Sequence, residues 1–211
     1  VRGKDVLLFN ATAPEDFLIL KTKTKYWPVA NNMQSLVWAG IELRKQVSAE
    51  ALASVDVQTY WSAWHESGSE PAKWDPRTRE TADHSLPYIL AWTLRHGVID
   101  ERAFVPESYL DSSIRPLMNI ISARIEDGID KEFPRVIHMR VNATDRSGKS
   151  YEVNIVNPLG HEDNRMSTAD IAAKFRRLCE PRLGKRRTTA ALRQWQNIET
   201  ATNTKSAFDA F

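Results

Sequence analysis

Val136-Ile-His-Met-Arg-Val-Asn-Ala-Thr144 and Ser150-Tyr-Glu-Val-Asn-Ile-Val156 alternate apolar and polar residues, and Asp145-Arg-Ser-Gly148 joins them. Alternation places successive side chains on opposite faces, and Gly148 supplies the backbone angle of a tight reversal, so the stretch predicts an antiparallel hairpin. Working upstream, Ile120 to Glu126 predicts a strand. Ser54 to His65 alternates loosely through Val55, Val57, Thr59, Trp61 and Ala63 and predicts another. Phe17-Leu-Ile-Leu-Lys-Thr22 is a short apolar run with a polar end and is expected to be extended.

Helices separate these strands. From Asn32 the apolar positions Met33, Leu36, Val37, Gly40, Ile41 and Val47 recur at three and four, with Asn31 or Asn32 as N-cap. A second helix begins at Ser85 or Pro87, carries Tyr88, Ala91, Trp92 and His96 on one face, and ends at Gly97. A shorter one spans Ser112 to Met118. The mixture predicts an α+β unit over residues 17–160, a small antiparallel sheet with packed helices. After Gly160 the character changes. Ser167-Thr-Ala-Asp170 opens a helix that is expected to stop at Pro181, and a second runs from Thr188 to Ile198. Residues 161–200 therefore read as C-terminal α-helices, and residues 201–211 as a small, polar tail.

Charge and cysteine usage narrow the function. Lys and Arg total 29 against 27 Asp and Glu, so no strong field draws the chain to DNA or to an anionic membrane. One cysteine, Cys179, excludes an intrachain disulfide and every Cys-rich zinc motif, and suits a reducing compartment. No apolar run approaches the roughly 20 residues of a membrane span. The opening Val1-Arg-Gly-Lys-Asp5 has neither an initiator Met nor a signal-peptide layout, and it reads as part of a longer chain. The five histidines show no metal-ligand spacing, and no Gly-rich phosphate loop or Gly-x-Ser-x-Gly elbow is present. The basic run from Lys174 to Arg193 could neutralise phosphates. It reads better as a solvated helical surface, because the chain offers no stacking platform.

Two stretches carry chemistry. Lys21, Lys23 and Lys25 alternate, which suggests either a seat for a carboxylate-bearing ligand or lysines guarding an exposed edge strand. The richer one is Lys73-Trp-Asp-Pro-Arg-Thr-Arg-Glu-Thr-Ala-Asp-His-Ser-Leu-Pro-Tyr88, which has little to bury and leads straight into an apolar helix. Arg and Ser donors at a helix start make a carboxylate cradle; a simple capping loop, with Asp83 or Ser85 satisfying free amides, is the other reading.

These residues carry a resemblance. Arg79-Glu-Thr-Ala-Asp-His-Ser-Leu-Pro-Tyr88, preceded by Lys73-Trp-Asp-Pro76, resembles the signature of the MmgE/PrpD family, which includes 2-methylcitrate dehydratase. Lys25-Tyr-Trp-Pro28 with Gln34-Ser35 is similar to the family's Lys-containing segment, and Gly160-His-Glu-Asp-Asn164 with Ala173-Lys-Phe-Arg176 to its closing segment. The likeness implies the C-terminal half of such a protein: residues 1–16 connecting from a helical domain, a lid, and helices returning to the helical domain. It further implies a cofactor-independent, metal-free, cytoplasmic hydro-lyase acting on a small di- or tricarboxylate, homodimeric, with no nucleic-acid or membrane partner. Carried over residue by residue, Lys25 and His84 would be catalytic, and Arg79, Ser85 and Tyr88 would bind substrate. Departures accompany the likeness. Ala30 and Asn32 stand where Glu and His are common in the family, and Arg165 where Pro is common. The second reading is therefore a non-catalytic subunit that binds a partner chain, and decarboxylation or epimerisation of related acids is a further alternative.

Overall fold

The computed structural model describes residues 18–209. It divides into two compact units, one ending at Asn164 and one beginning at Arg165; residues 1–16 and the start of the expected strand at Phe17 lie outside the described residues. The first unit is α+β. Helix α1 (Gln34–Arg44) is followed by strand β1 (Leu52–Thr59) and helices α2 (Trp61–Ser67), α3 (Pro71–Trp74), α4 (Arg79–Asp83) and α5 (Leu86–His96). Short helices α6 (Pro106–Tyr109) and α7 (Arg115–Met118) lead to β2 (Ile121–Ile125), then α8 (Asp127–Glu132), β3 (His138–Asp145) and β4 (Ser150–Val156).

The hairpin forms as expected, with Val141 opposite Val153 and Met139 opposite Ile155. The sheet order is β2-β1-β3-β4. It is mixed rather than wholly antiparallel: β2 runs parallel to β1, because α2 to α7 form a long crossover between them. Register gives each face its character. Ile121, Val55, Ala143 and Tyr151 stand side by side on one face, as do Ala123, Val57, Val141 and Val153. The other face carries Asp56, Gln58, Arg124, Arg140 and Asn154, tied together by Arg124 to Asp56 (3.2 Å) and Arg140 to Asn154 (3.0 Å).

Helix α1 packs against β3 and β4 and against α5, so it sits between the apolar sheet face and that second helix. Gly40 permits the contact: a Cβ there would lie 2.9 Å from Thr93 Cγ2 and 3.2 Å from Leu90 Cδ1.

Four local expectations are corrected. Leu18–Lys21 forms a 3₁₀ turn and not a strand; among the described residues it pairs with no strand, and Ile19 is exposed. Lys21, Lys23 and Lys25 therefore do not alternate along an edge. Strand β1 stops at Thr59, and Trp61 to Ser67 is helical, with the Trp61 N–H accepted by Asp130 at 2.7 Å. Neither Asn31 nor Asn32 caps α1, since both belong to a 3₁₀ turn and the Asn32 amide is used elsewhere.

The fourth correction lies in the second unit, which holds helices α9 (Thr168–Gln196) and α10 (Lys205–Asp209). Ser167 and Asp170 form the expected capping box. The helical run is interrupted at Gly184 (φ 73°, ψ 158°) and not at Pro181, because only the left-handed backbone of a glycine takes that conformation cheaply. Trp195 and Phe208 pack edge to face at 5.3 Å between α9 and α10.

Replacing Gly40 with Val should lower the unfolding free energy by about 1–3 kcal/mol, because neither Thr93 nor the backbone can yield easily. Urea denaturation of the variant beside the parent chain checks this; an unchanged midpoint would contradict the close approach.

Candidate functional site

The Lys25 segment is shaped by one side chain. The backbone N–H groups of Tyr26 and Trp27 both donate to Gln34 Oε1 (3.0 and 2.9 Å), and Gln34 Nε2 donates to the carbonyls of Trp27 (2.9 Å) and Val29 (3.4 Å). Gln34 is buried at the first turn of α1. A carboxamide with two N–H donors and two acceptor lone pairs can bind both sides of a non-repetitive loop, which a hydrocarbon cannot do. The rings of Tyr26, Trp27 and Trp38 pack against one another with centroids 4.9–5.4 Å apart. Lys25 stands exposed one residue before the fastened loop.

Two backbone hydrogen bonds carry this segment to the other motifs. Thr24 N–H donates to the Gly160 carbonyl at 2.8 Å, and Ala30 N–H donates to the Asp83 carbonyl at 3.1 Å. Gly160 has φ 101°, and a Cβ there would fall 2.0 Å from the Thr24 carbonyl oxygen, so glycine is required on both counts. The three motifs, far apart in sequence, thus meet at residues 24–30.

His161, next to Gly160, is 2% exposed. Its Nδ1 accepts the Asp163 N–H at 3.1 Å, which leaves the proton on Nε2, and that atom has no partner among the described residues. Burial, helped by the Lys23 ammonium, lowers its pKa.

The Lys73–Tyr88 stretch folds as two short capped helices. Thr78 Oγ1 accepts the Thr81 N–H at 3.1 Å and starts α4; Ser85 Oγ accepts the Tyr88 N–H at 3.2 Å and starts α5. Ser85 also donates to the Lys73 carbonyl, closing the loop. The Tyr88 hydroxyl is buried and donates to the Ala103 carbonyl at 2.5 Å, and burial raises its pKa far above the ordinary phenol value. Both hydroxyls expected to bind substrate are thus turned inward and engaged within the chain.

His84 is half-buried, with Nδ1 against the Asp83 carboxylate and 3.1 Å from the Glu80 carbonyl. Both neighbours accept, so Nδ1 carries the proton and Nε2 is the basic nitrogen. Arg79 is exposed at the start of α4. Arg77, by contrast, folds back on Asp75 (2.6 Å), which Arg115 also reaches (2.9 Å). Those bonds, Arg77 foremost, hold the Asp75 carboxyl below its usual range.

Two features escaped sequence reasoning. Asp83 orients His84, and its adjacency in sequence was the available signal. The other is a polar network at the end of β1. Asn32 Nδ2 donates to Glu66 (2.6 Å) and Ser62 (3.3 Å), while Tyr60 donates to Asn32 Oδ1 (2.9 Å). Only the loose strand pattern covered Tyr60 to His65, and a helix was needed to bring Ser62 and Glu66 to one side.

Among the described residues no group of three or more His, Cys, Asp or Glu could hold a metal ion, and no helix is long and apolar enough to cross a membrane.

Gln34→Ala should cost roughly 2–4 kcal/mol of stability by leaving the buried Trp27 and half-buried Tyr26 N–H donors unpaired, readable by chemical denaturation. His161 supplies a pH test. Its folded pKa lies below the unfolded value, so the unfolded state binds more protons, and stability should fall as pH drops below the ordinary histidine range of about 6.5. Denaturation at pH 7 and 5 should show a smaller acid loss for His161→Gln than for the parent; equal losses would contradict the buried neutral imidazole.

A family model described as the MmgE/PrpD C-terminal domain matches residues 27–197. The match takes in the Arg79–Tyr88 and Gly160–Asn164 motifs; Lys25 lies two residues outside its start.

Proposed function

The chain belongs to the MmgE/PrpD family, and from that premise we propose that it is the lid-containing part of a dehydratase-like, cofactor-independent lyase acting on a small di- or tricarboxylate such as 2-methylcitrate. The observation that carries the reading is the pair of backbone bonds from Thr24 to Gly160 and from Ala30 to Asp83, which gather all three family motifs around Lys25.

Elimination of water requires that a carbon beside a carboxylate lose its proton and that the neighbouring hydroxyl leave as water. Negative charge builds on that carboxylate in the transition state, and a fixed cation there lowers the barrier. Lys25 and Arg79 are exposed cations on the two linked segments and take this part. His84, its ring fixed through Nδ1 by Asp83, presents Nε2 as the proton-transferring atom. Ser85 and Tyr88 serve by holding the loop, since their hydroxyls are engaged with Lys73, the Tyr88 N–H and Ala103. In this reading the helical half, from the same gene product or a partner chain, completes the site within a cytoplasmic homodimer.

A specific observation favours a second reading, a non-catalytic subunit that binds a partner chain. Asn32 is buried and bonded to Tyr60, Ser62 and Glu66, and a carboxamide cannot exchange protons as a histidine would.

The test is turnover of 2-methylcitrate and citrate by protein purified from its source, followed by alkene absorbance. Lys25→Ala and His84→Ala should each lower kcat/KM by about a hundredfold. Full activity in both variants would remove the assignment, and no turnover by the parent protein would leave the non-catalytic reading.

A further inference from the structure

Away from the motif site, the ends of four elements enclose a basic groove. Two adjoining cavities, of about 160 and 310 Å³, share Ala49, Glu50 and Arg95 in their walls; Arg146 lines the first and Arg44 the second. Arg44 ends α1, Arg95 lies in the last turn of α5, and Arg146 sits in the β3–β4 turn.

Each guanidinium is held by neutral acceptors. Arg44 donates to the carbonyls of Leu94 (3.0 Å) and Arg95 (2.6 Å), Arg95 to the hydroxyl (2.9 Å) and carbonyl (2.6 Å) of Ser113, and Arg146 to the Glu50 carbonyl (3.2 Å). None of the three forms an ion pair with a carboxylate among the described residues. Arg77, Arg102 and Arg124 do, with Asp75, Asp100 and Asp56. Lys45, also on the groove, is neutralised by Glu42 at 2.6 Å.

A guanidinium cannot shed its proton near neutrality, so three such charges on one groove cannot relieve their repulsion by titrating. Glu50 is the one carboxylate in the cavity walls. Its carboxyl is held below the usual range, first by backbone and Ser48 hydrogen bonds and then by Arg44 and Arg95. Each guanidinium offers five N–H donors, more than the neutral acceptors use, and its fork matches phosphate or carboxylate oxygens.

We propose that this groove binds a small solute carrying two or more negative charges, of the phosphate or polycarboxylate kind, between Arg44, Arg95 and Arg146. Arg44 also caps the end of α5, so its first task is structural. Arg95 and Arg146 are the discriminating residues. Helix α5 separates the two sites, with Ser85 of the motif loop at its N-cap and Arg95 of the groove in its last turn, roughly 15 Å along the axis. The two sites can therefore fail independently.

The experiment is isothermal titration of the 211-residue chain at low salt, with pyrophosphate and separately with citrate. Saturable binding with Kd below about 1 mM is expected for at least one probe, and which probe binds distinguishes phosphate from polycarboxylate. Arg95→Gln and Arg146→Gln should each weaken it about tenfold, while Arg124→Gln, which changes an arginine paired with Asp56 on the polar sheet face, should leave it unchanged. Binding unchanged in both Arg95→Gln and Arg146→Gln, binding weakened equally in Arg124→Gln, or the absence of saturation with both probes overturns the proposal. Should either Gln variant fail to fold, the arginine Nε–H resonances of the parent chain decide. Shifts of Arg95 and Arg146 on titration support the site, and shifts confined to other arginines reject it.

Discussion

A buried carboxamide can satisfy a loop that has no regular hydrogen-bonding pattern of its own, and the first unit depends on one. Gln34 accepts two N–H groups and donates to two carbonyls of residues 26–29, all from the first turn of α1. That fixes the loop to a helix that is itself held between the sheet and α5. The Thr24–Gly160 and Ala30–Asp83 bonds flank the fastened loop, so their alignment follows from it. The position of Lys25 is thus inherited from the core through a single amide, although Lys25 itself is exposed.

The parts legible in the sequence are those governed by local period and turn chemistry. The hairpin, the body of α1, α5 between Ser85 and Gly97, and the Ser167 capping box follow from patterns of two or 3.6 residues and from residues with one physical purpose. What escaped reading depended on partners remote in sequence. Trp61 to His65 falls within the expected strand and is the start of a helix, because β1 stops at Thr59 and Asp130 accepts the Trp61 N–H. The apolar run at Leu18–Lys21 turns as a 3₁₀ segment and, among the described residues, pairs with no strand. Parallel pairing of β2 could not be seen in β2 itself, since direction is set by the connection. In the site, Ser85 and Tyr88 are residue types that commonly hold ligands, yet an N-cap and a buried hydroxyl satisfy the same chemistry internally.

Asn32 holds a structural position at the end of β1. Its carboxamide joins the end of β1 to α2 through Tyr60, Ser62 and Glu66, and the Tyr60 phenol is driven upward in pKa by burial and by the Glu66 charge. A neutral amide suits that place because it donates to a carboxylate and accepts from a phenol at once. An imidazole would have to choose a tautomer to do the same.

The mixed sheet has a consequence for the order of assembly. The β3–β4 hairpin needs only neighbours close in sequence. Strand β1 completes its pairing with residues such as Arg140, 82 positions from Gln58, and Arg124, 68 positions from Asp56. Closing loops of that length costs chain entropy before any contact repays it, and such topologies fold slowly. The hairpin would serve as the early template, with β1 docking onto it and β2 arriving last on the far edge. A ribosome releasing the chain from its N-terminus would have to expose the apolar face of α1 until β3 and β4 had emerged, which makes that interval the one in which a chaperone has most to protect.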